Sequence, residues 1–269
     1  MGEAVVRAQA FGWFLAASML GPLARAESSV SLPIPDRPQD AKSPPSGWCG
    51  ETAIQEGLLH LGMWASQRRI NAAGKPAHPD LYSTEIAGAL AALGVETTVY
   101  SPKKRGFEAY AAWVADAIDH GDPVFAGVKL VPSEHPEWGL DHFVLVVGHG
   151  DQGLLVNTTW NRQLWANAKT TEGISFQNAF FAIRLRDISA PDGSTRARLT
   201  VIDESSERVS LRVECSGLVP GARVRVERRA AARGDMVWSE HAIGEGGSAE
   251  WRVVVEGDEL ARFRCVRDP

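Results

Sequence analysis

The stretch Gly47-Trp48-Cys49-Gly50-Glu51-Thr52-Ala53-Ile54-Gln55-Glu56-Gly57-Leu58-Leu59 constrains this chain more than any other. A proline-rich, aperiodic run ends at Gly47. Apolar residues then recur at Ile54, Leu58 and Leu61, with Ala53 and Gly57 beside them. That i, i+4, i+7 spacing predicts a helix with one buried face. Cys49 falls at or just before its first turn, where unpaired N–H groups and the positive end of the helix dipole favour a thiolate. A cysteine so placed can titrate well below the ordinary value of ~8.5. A solitary cysteine is more often a small buried apolar group. Here the helix start, the preceding tryptophan and the flanking glycines point instead to a reactive thiol.

The compartment and the cysteine count bear on that thiol. Residues 1–26 carry one basic residue ahead of the apolar run, Arg7, then the run itself from Phe11 to Leu23, and the triplet Ala24-Arg25-Ala26. The run is shorter than the ~20 apolar residues of a membrane span, and the triplet has the form of a cleavage site. A secretory signal is therefore expected over 1–26, with the mature protein in a bacterial periplasm or outside the cell. No other stretch is apolar enough to span a membrane. Residues 27–46 hold five prolines and read as an extended arm leading to Cys49. The chain has three cysteines, and in an exported protein two form a disulfide and one is left over. Spacing alone leaves the connectivity open. Cys215 and Cys265 both lie in β-patterned runs, and pairing them leaves Cys49 free.

Between Trp48 and Asp187 helix and strand patterns mix. The Cys49 helix is predicted to stop at Gly62, and Tyr82-Ser83-Thr84-Glu85 offers a start for a helix carrying Ile86, Leu90 and Leu93. A strand over Val95–Tyr100, a helix over Phe107–Asp119 and a strand over Val124–Leu130 follow. Phe143–Val147 and Leu154–Val156 then form a hairpin about a Gly-rich turn. Folding it about residues 149–151 brings His142 and Asn157 side by side, to within about two positions of register. An imidazole beside an amide is the arrangement that fixes a histidine tautomer and aims its other nitrogen at a thiol.

The remaining candidates are weaker. His135, His142 and His149 recur every seven residues, but no paired-cysteine or HExxH spacing accompanies them, so neither metal nor cofactor is expected. Asp141 directly precedes His142 and is poorly placed to reach the rear of that ring. Trp160 and Trp165 read as core, with Trp160 able to shield the His–Asn bond. His60, His78, His120 and His241 read as surface residues. A net charge of −5 gives no reason to expect nucleic acid or an anionic membrane as partner.

The order Cys, His, Asn resembles the papain-like cysteine peptidases, and in finer detail the bacterial branch containing the double-glycine-leader (bacteriocin-processing) peptidases. The marks are Trp48-Cys49-Gly50-Glu51-Thr52-Ala53, Ala92-Leu93-Gly94-Val95, Gly121-Asp122-Pro123-Val124, Asp141-His142-Phe143-Val144 and Val156-Asn157. By this resemblance Cys49 is the nucleophile, His142 the general base and acid, and Asn157 the orienter. The family places a glutamine six residues before the cysteine, to donate to the oxyanion. Ser43 stands there in this chain, with Gln39 four residues further upstream. Loss of one such donor costs roughly 10²–10³ in rate. Ser43, at the family position, is the preferred substitute, and Gln39 the alternative if the prolines bend the arm back.

From about Arg196 the texture changes to short alternating runs at 199–202, 209–213, 224–227, 236–238, 249–255 and 260–266. Strands at this spacing predict a small antiparallel β-sandwich, resembling immunoglobulin or fibronectin type III modules. The expected architecture is α+β: an arm over 27–46, a papain-like domain over 47–188 and a sandwich over 195–269, joined by a linker at 190–194. The expected function is an exported cysteine peptidase or related thiol hydrolase acting on peptide or protein through an acyl-enzyme. The alternatives are an acyltransferase with the same triad and a non-catalytic binding protein on the same scaffold.

Overall fold

The computed structural model describes residues 29–267 except 102–105, 169, 171, 178–179, 187–196, 206, 217–222, 231–240, 244–247 and 258. The expected signal sequence, the linker at 190–194 and the strand at 236–238 lie outside the described residues.

In chain order the first half comprises β1 (Ser29–Ser31), α1 (Cys49–His60), β2 (Met63–Trp64), α2 (Gln67–Gly74), α3 (Ser83–Ala92), β3 (Glu96–Val99) and α4 (Phe107–Asp119). It continues with β4 (Val124–Val131), β5 (His142–Gly150), β6 (Gly153–Asn157), β7 (Gln163–Ala166), β8 (Gly173–Ser175) and β9 (Ala182–Arg186). The strands form one antiparallel sheet in the order β3-β9-β4-β5-β6-β7, with β1 beside β5 and β8 beside β4. Side chains alternate along β5. Phe143, Leu145 and Val147 enter a core with Ala53, Ile54 and Leu58 of α1 and Ile86 and Leu90 of α3. Val144 and Val146 enter a second core with Tyr110, Val114, Ala117 and Ile118 of α4. Burial on both faces is why residues 143–147 read as an unbroken apolar run.

Helix α1 is enclosed, with residues 50–60 all buried. It ends where Gly62 takes φ 74°, and a Cβ there would meet Phe263 O at 2.8 Å and Ala197 O at 2.9 Å. Helix α3 starts as its sequence foretold, with Tyr82 N–H donating to Glu85 Oε2 at 2.7 Å. Helix α2 was not foreseen. Ser66 caps it by accepting from Arg69 N–H at 3.1 Å, but it buries only Gln67 and Ile70, too little for a visible stripe.

The second half holds β10 (Ala197–Glu204), β11 (Arg208–Ser216), β12 (Arg223–Ala230), β13 (His241–Ile243), β14 (Ser248–Glu256) and β15 (Ala261–Arg267). Strands β10-β11-β14 form one sheet, and β13-β12-β15-β2 form another. Cys215 of β11 and Cys265 of β15 are joined by a disulfide that ties the two sheets together. Between them lies a core of Leu199, Val209, Leu211, Val213, Val226, Trp251, Val253 and Phe263. Strand β2 brings Trp64 into this core, Leu59 of α1 joins it, and Arg262 Nη2 donates to Leu93 O at 2.9 Å and Gly94 O at 2.6 Å. The fold is α+β, and among the described residues no helix is long and apolar enough to cross a membrane.

Candidate active site

Cys49 is the first residue of α1, half-buried and free of any disulfide. Gly50 lets the helix start press onto β5, since a Cβ there would already lie 3.3 Å from Ile86 Cδ1 and 3.4 Å from Phe143 Cδ2. Cys49 thus sits beside Phe143, the residue after His142. Its electrostatics differ from those a helix start alone implies. Burial pushes the thiol up to about 12, the N–H groups of Phe143 and Gly50 pull the other way, and the charges of Glu51 and Asp80 raise it further. Desolvation outweighs the dipole here, and the resting sulfur is a neutral thiol.

His142 opens β5 and is buried. Its Nε2 bonds to the Thr158 carbonyl at 2.9 Å, and its ring stacks on Trp160 with centroids 4.5 Å apart. Burial holds the imidazole below its usual value, against the opposing pull of the Thr158 carbonyl and of the charges on Asp141 and Asp36. With Nε2–H donating, Nδ1 carries the lone pair, and among the described residues it makes no hydrogen bond. No direct hydrogen bond joins it to Cys49 among those residues.

Asn157 is not the partner of this ring. Its Nδ2 donates to Ile34 O at 3.2 Å and its Oδ1 accepts from Gln163 Nε2 at 2.8 Å. The expected register was displaced. The hairpin turns over Asp151 and Gln152, an irregularity falls between Val146 and Gly148, and Asn157 consequently faces Leu145, three residues beyond His142. The chain continues past Asn157, and the carbonyl of the next residue takes the place assigned to its side chain. Trp160 is 40% exposed, so it is a lid on the imidazole and not a core residue.

The arm does bend back. Gln39 Oε1 accepts from Trp48 N–H at 2.6 Å, and its Nε2 donates to Thr159 Oγ1 at 3.2 Å, bridging the start of α1 and the turn after Asn157. Ser43 lies in a turn, its N–H donating to Asp40 O at 2.8 Å, and its hydroxyl makes no hydrogen bond among the described residues. Of the two upstream candidates Gln39 is the one held at the cysteine.

The opposite wall of the site is residues 79–82. Trp48 Nε1 donates to Pro79 O at 3.0 Å, and Ser46 Oγ to Asp80 Oδ1 at 3.1 Å. Glu51 Oε1 accepts from Leu81 N–H at 3.0 Å and from Asn71 Nδ2 at 2.7 Å. Burial pushes the Glu51 carboxyl up to about 7. Asp141 serves its own loop, accepting from Leu130 N–H and Lys129 Nζ, which hold its carboxyl below the usual range together with Ser133. His60, expected at the surface, is buried with Nε2 3.0 Å from Gly121 O. Among the described residues no cluster of three or more His, Cys, Asp or Glu could hold a metal ion.

No family model, curated protein or solved structure matches the chain. The chemistry of the site therefore has to be argued from its own atoms. Those atoms are a free thiol at the start of α1 and, at the start of β5, a buried imidazole with one nitrogen bonded.

Proposed function

We propose that the protein is an exported thiol hydrolase of papain-like design, a cysteine peptidase acting on peptide or protein, with an immunoglobulin- or fibronectin-like sandwich over 195–269 as an accessory module. The reading rests on one juxtaposition. The start of α1 packs on Phe143, the residue after His142, and the His142 Nε2 is occupied while its Nδ1 is left to accept a proton.

In this reading both groups rest neutral, and substrate binding triggers the transfer. The thiol proton passes to His142 Nδ1 as Sγ bonds to the substrate carbonyl carbon. The oxyanion is met by the Cys49 backbone N–H and the Gln39 amide. Collapse breaks the C–N bond, and His142 returns its proton to the leaving amine. Water then attacks the thioester, giving its proton to the same nitrogen and releasing the acid and the thiol. Glutamine at position 39 takes the part that the family gives to a glutamine nearer the cysteine.

A second reading, a non-catalytic binding protein, draws support from the thiol held near 12, since such a sulfur is unreactive by itself. A peptide-library cleavage profile of the mature protein and Cys49→Ala separates the two. Cleavage lost in Cys49→Ala supports the hydrolase. A wild type that binds peptides and cleaves none supports the binder. Transfer of the acyl group to an added amine marks the transferase variant of the same chemistry.

A further inference from the structure

We infer that Asp36, in the proline-rich arm, is the residue that positions His142, acting through the turn 158–162. This role rests on the thiol-hydrolase reading, since a ring that moves no proton needs no aim.

The ring is aimed by a backbone carbonyl, and a carbonyl is only as fixed as its peptide. Thr158 is followed by Thr159 at φ 67° and Asn161 at φ 62°, two non-glycine residues in the left-handed region. Each costs on the order of 1 kcal/mol, so the turn is not one this sequence adopts unaided. Asp36 supplies what holds it. Its Oδ1 accepts from Thr159 N–H at 2.8 Å, and its Oδ2 accepts from Thr158 Oγ1 at 3.2 Å and from Arg162 N–H. Two backbone N–H groups converge on this one carboxylate, with the Thr158 hydroxyl beside them shared with Arg162 O at 2.8 Å, and charge-assisted bonds of this kind are the strong ones. The neighbours of Asp36 bind the same segment. Ile34 O accepts from Asn157 Nδ2 and Gln163 Nε2, Pro38 bridges to Trp160, and Gln39 reaches Thr159.

Asp36 is itself backed by α1. Glu56, wholly buried, accepts from Arg37 N–H at 2.7 Å, next to Asp36. Burial, and after it the Asp36 charge, raises the Glu56 carboxyl well above its usual value. The Arg37 guanidinium does not neutralise the pair, being engaged with Gln55 and Glu204. Facing His142 are the charges of Asp36 and Asp141 and, on the ring face, Trp160, over which the Arg162 guanidinium lies at 5.8 Å. Residues 36 and 37 therefore link the middle of α1, through Arg37 N–H on Glu56, to the imidazole, through the Asp36 carboxylate, the turn and the Thr158 carbonyl.

The test follows the His142 ring directly, by NMR of the mature chain labelled with nitrogen-15 at histidine. In wild type the Nε2–H tautomer is expected to dominate. Asp36→Asn keeps the size of the side chain but removes the charge and one acceptor. It is expected to raise the Nδ1–H population and to lower the imidazolium-to-imidazole ratio at a given pH about threefold, since a nearby negative charge is lost. A lower unfolding temperature with an unchanged tautomer and titration would mean that Asp36 only supports the fold, and would overturn the inference. So would a wild type in the Nδ1–H form. If Asp36→Asn does not fold, Thr158→Val serves, because it removes a donor to Asp36 and leaves the carbonyl. The same direction of change, smaller, is expected, and an unchanged ring would refute the role. If the ring responds while neither wild type nor Cys49→Ala cleaves any peptide, the hydrolase reading fails and Asp36 still positions the ring.

Discussion

At Cys49 two effects oppose each other, and their sum decides how the residue behaves in a test tube. The helix start favours a thiolate, and burial disfavours it more strongly. A haloacetamide should therefore label Cys49 at pH 7 at least about tenfold more slowly than free cysteine, with the rate still climbing above about pH 9. Rapid labelling with an apparent value near 6 would show that the dipole wins after all. Turnover should depend on pH through His142. Its folded value is lowered, so the neutral base is present at neutral pH, and activity should rise through a value below 6.5 and then hold level. His142→Ala should lose about 10³-fold or more in kcat, and Gln39→Ala about 10²-fold with little change in KM. The places of Cys49 and His142 were legible in the sequence, because each sits at the edge of a strongly patterned element. The ring's partner was not, because a backbone carbonyl leaves no mark on a sequence, and a lone Asp36 among prolines gave no signal.

At the scale of elements, α1 carries the site and is also where pH acts on stability. Glu51, in its first turn, has its carboxyl pushed up to about 7 from an ordinary value near 4.5, so the folded state holds its proton over a range in which the unfolded chain has released it. Its contribution is fully present below about pH 4.5 and is lost as pH rises through 7, amounting to about 3 kcal/mol. Glu51→Gln keeps an acceptor for Leu81 N–H and removes the titration. It should match wild type in urea unfolding at pH 5 and exceed it at pH 8, whereas parallel curves at both would show that Glu51 does not titrate in this window. At the other end of the helix, Gly62→Ala forces a Cβ onto two backbone oxygens at positive φ. It should cost about 2–4 kcal/mol, read as a lowered urea midpoint. The helices α1, α3 and α4 were legible from their apolar spacing. The β5–β6 register was not, because the two-residue turn and the irregularity after Val146 shift the pairing by amounts that alternation alone does not record.

Over the whole molecule the strand pattern of the C-terminal half was legible and its attachment was not. Nothing in Met63-Trp64 announces a strand, yet these two residues complete the β15 sheet and place Trp64 in the core behind the disulfide. The sequence suggested a separate sandwich joined by a linker at 190–194. The shared core argues instead for one cooperative transition. Loss of the Cys215–Cys265 bond, closing fifty residues, should cost about 4 kcal/mol, and Cys215→Ala/Cys265→Ala should weaken the Cys49 half as well. Two separate unfolding steps, with the Cys49 half unchanged, would contradict that coupling. The central claim, that Cys49 and His142 act together on an acyl group, is tested most directly by stopped-flow acylation with p-nitrophenyl acetate, read by nitrophenolate release and by intact mass. A burst of one equivalent per protein is expected, with one acetyl group on Cys49, absent in Cys49→Ala and slowed by about 10²-fold or more in His142→Ala. A burst that is equally fast in His142→Ala, or no acetyl group on Cys49 in wild type, would contradict it.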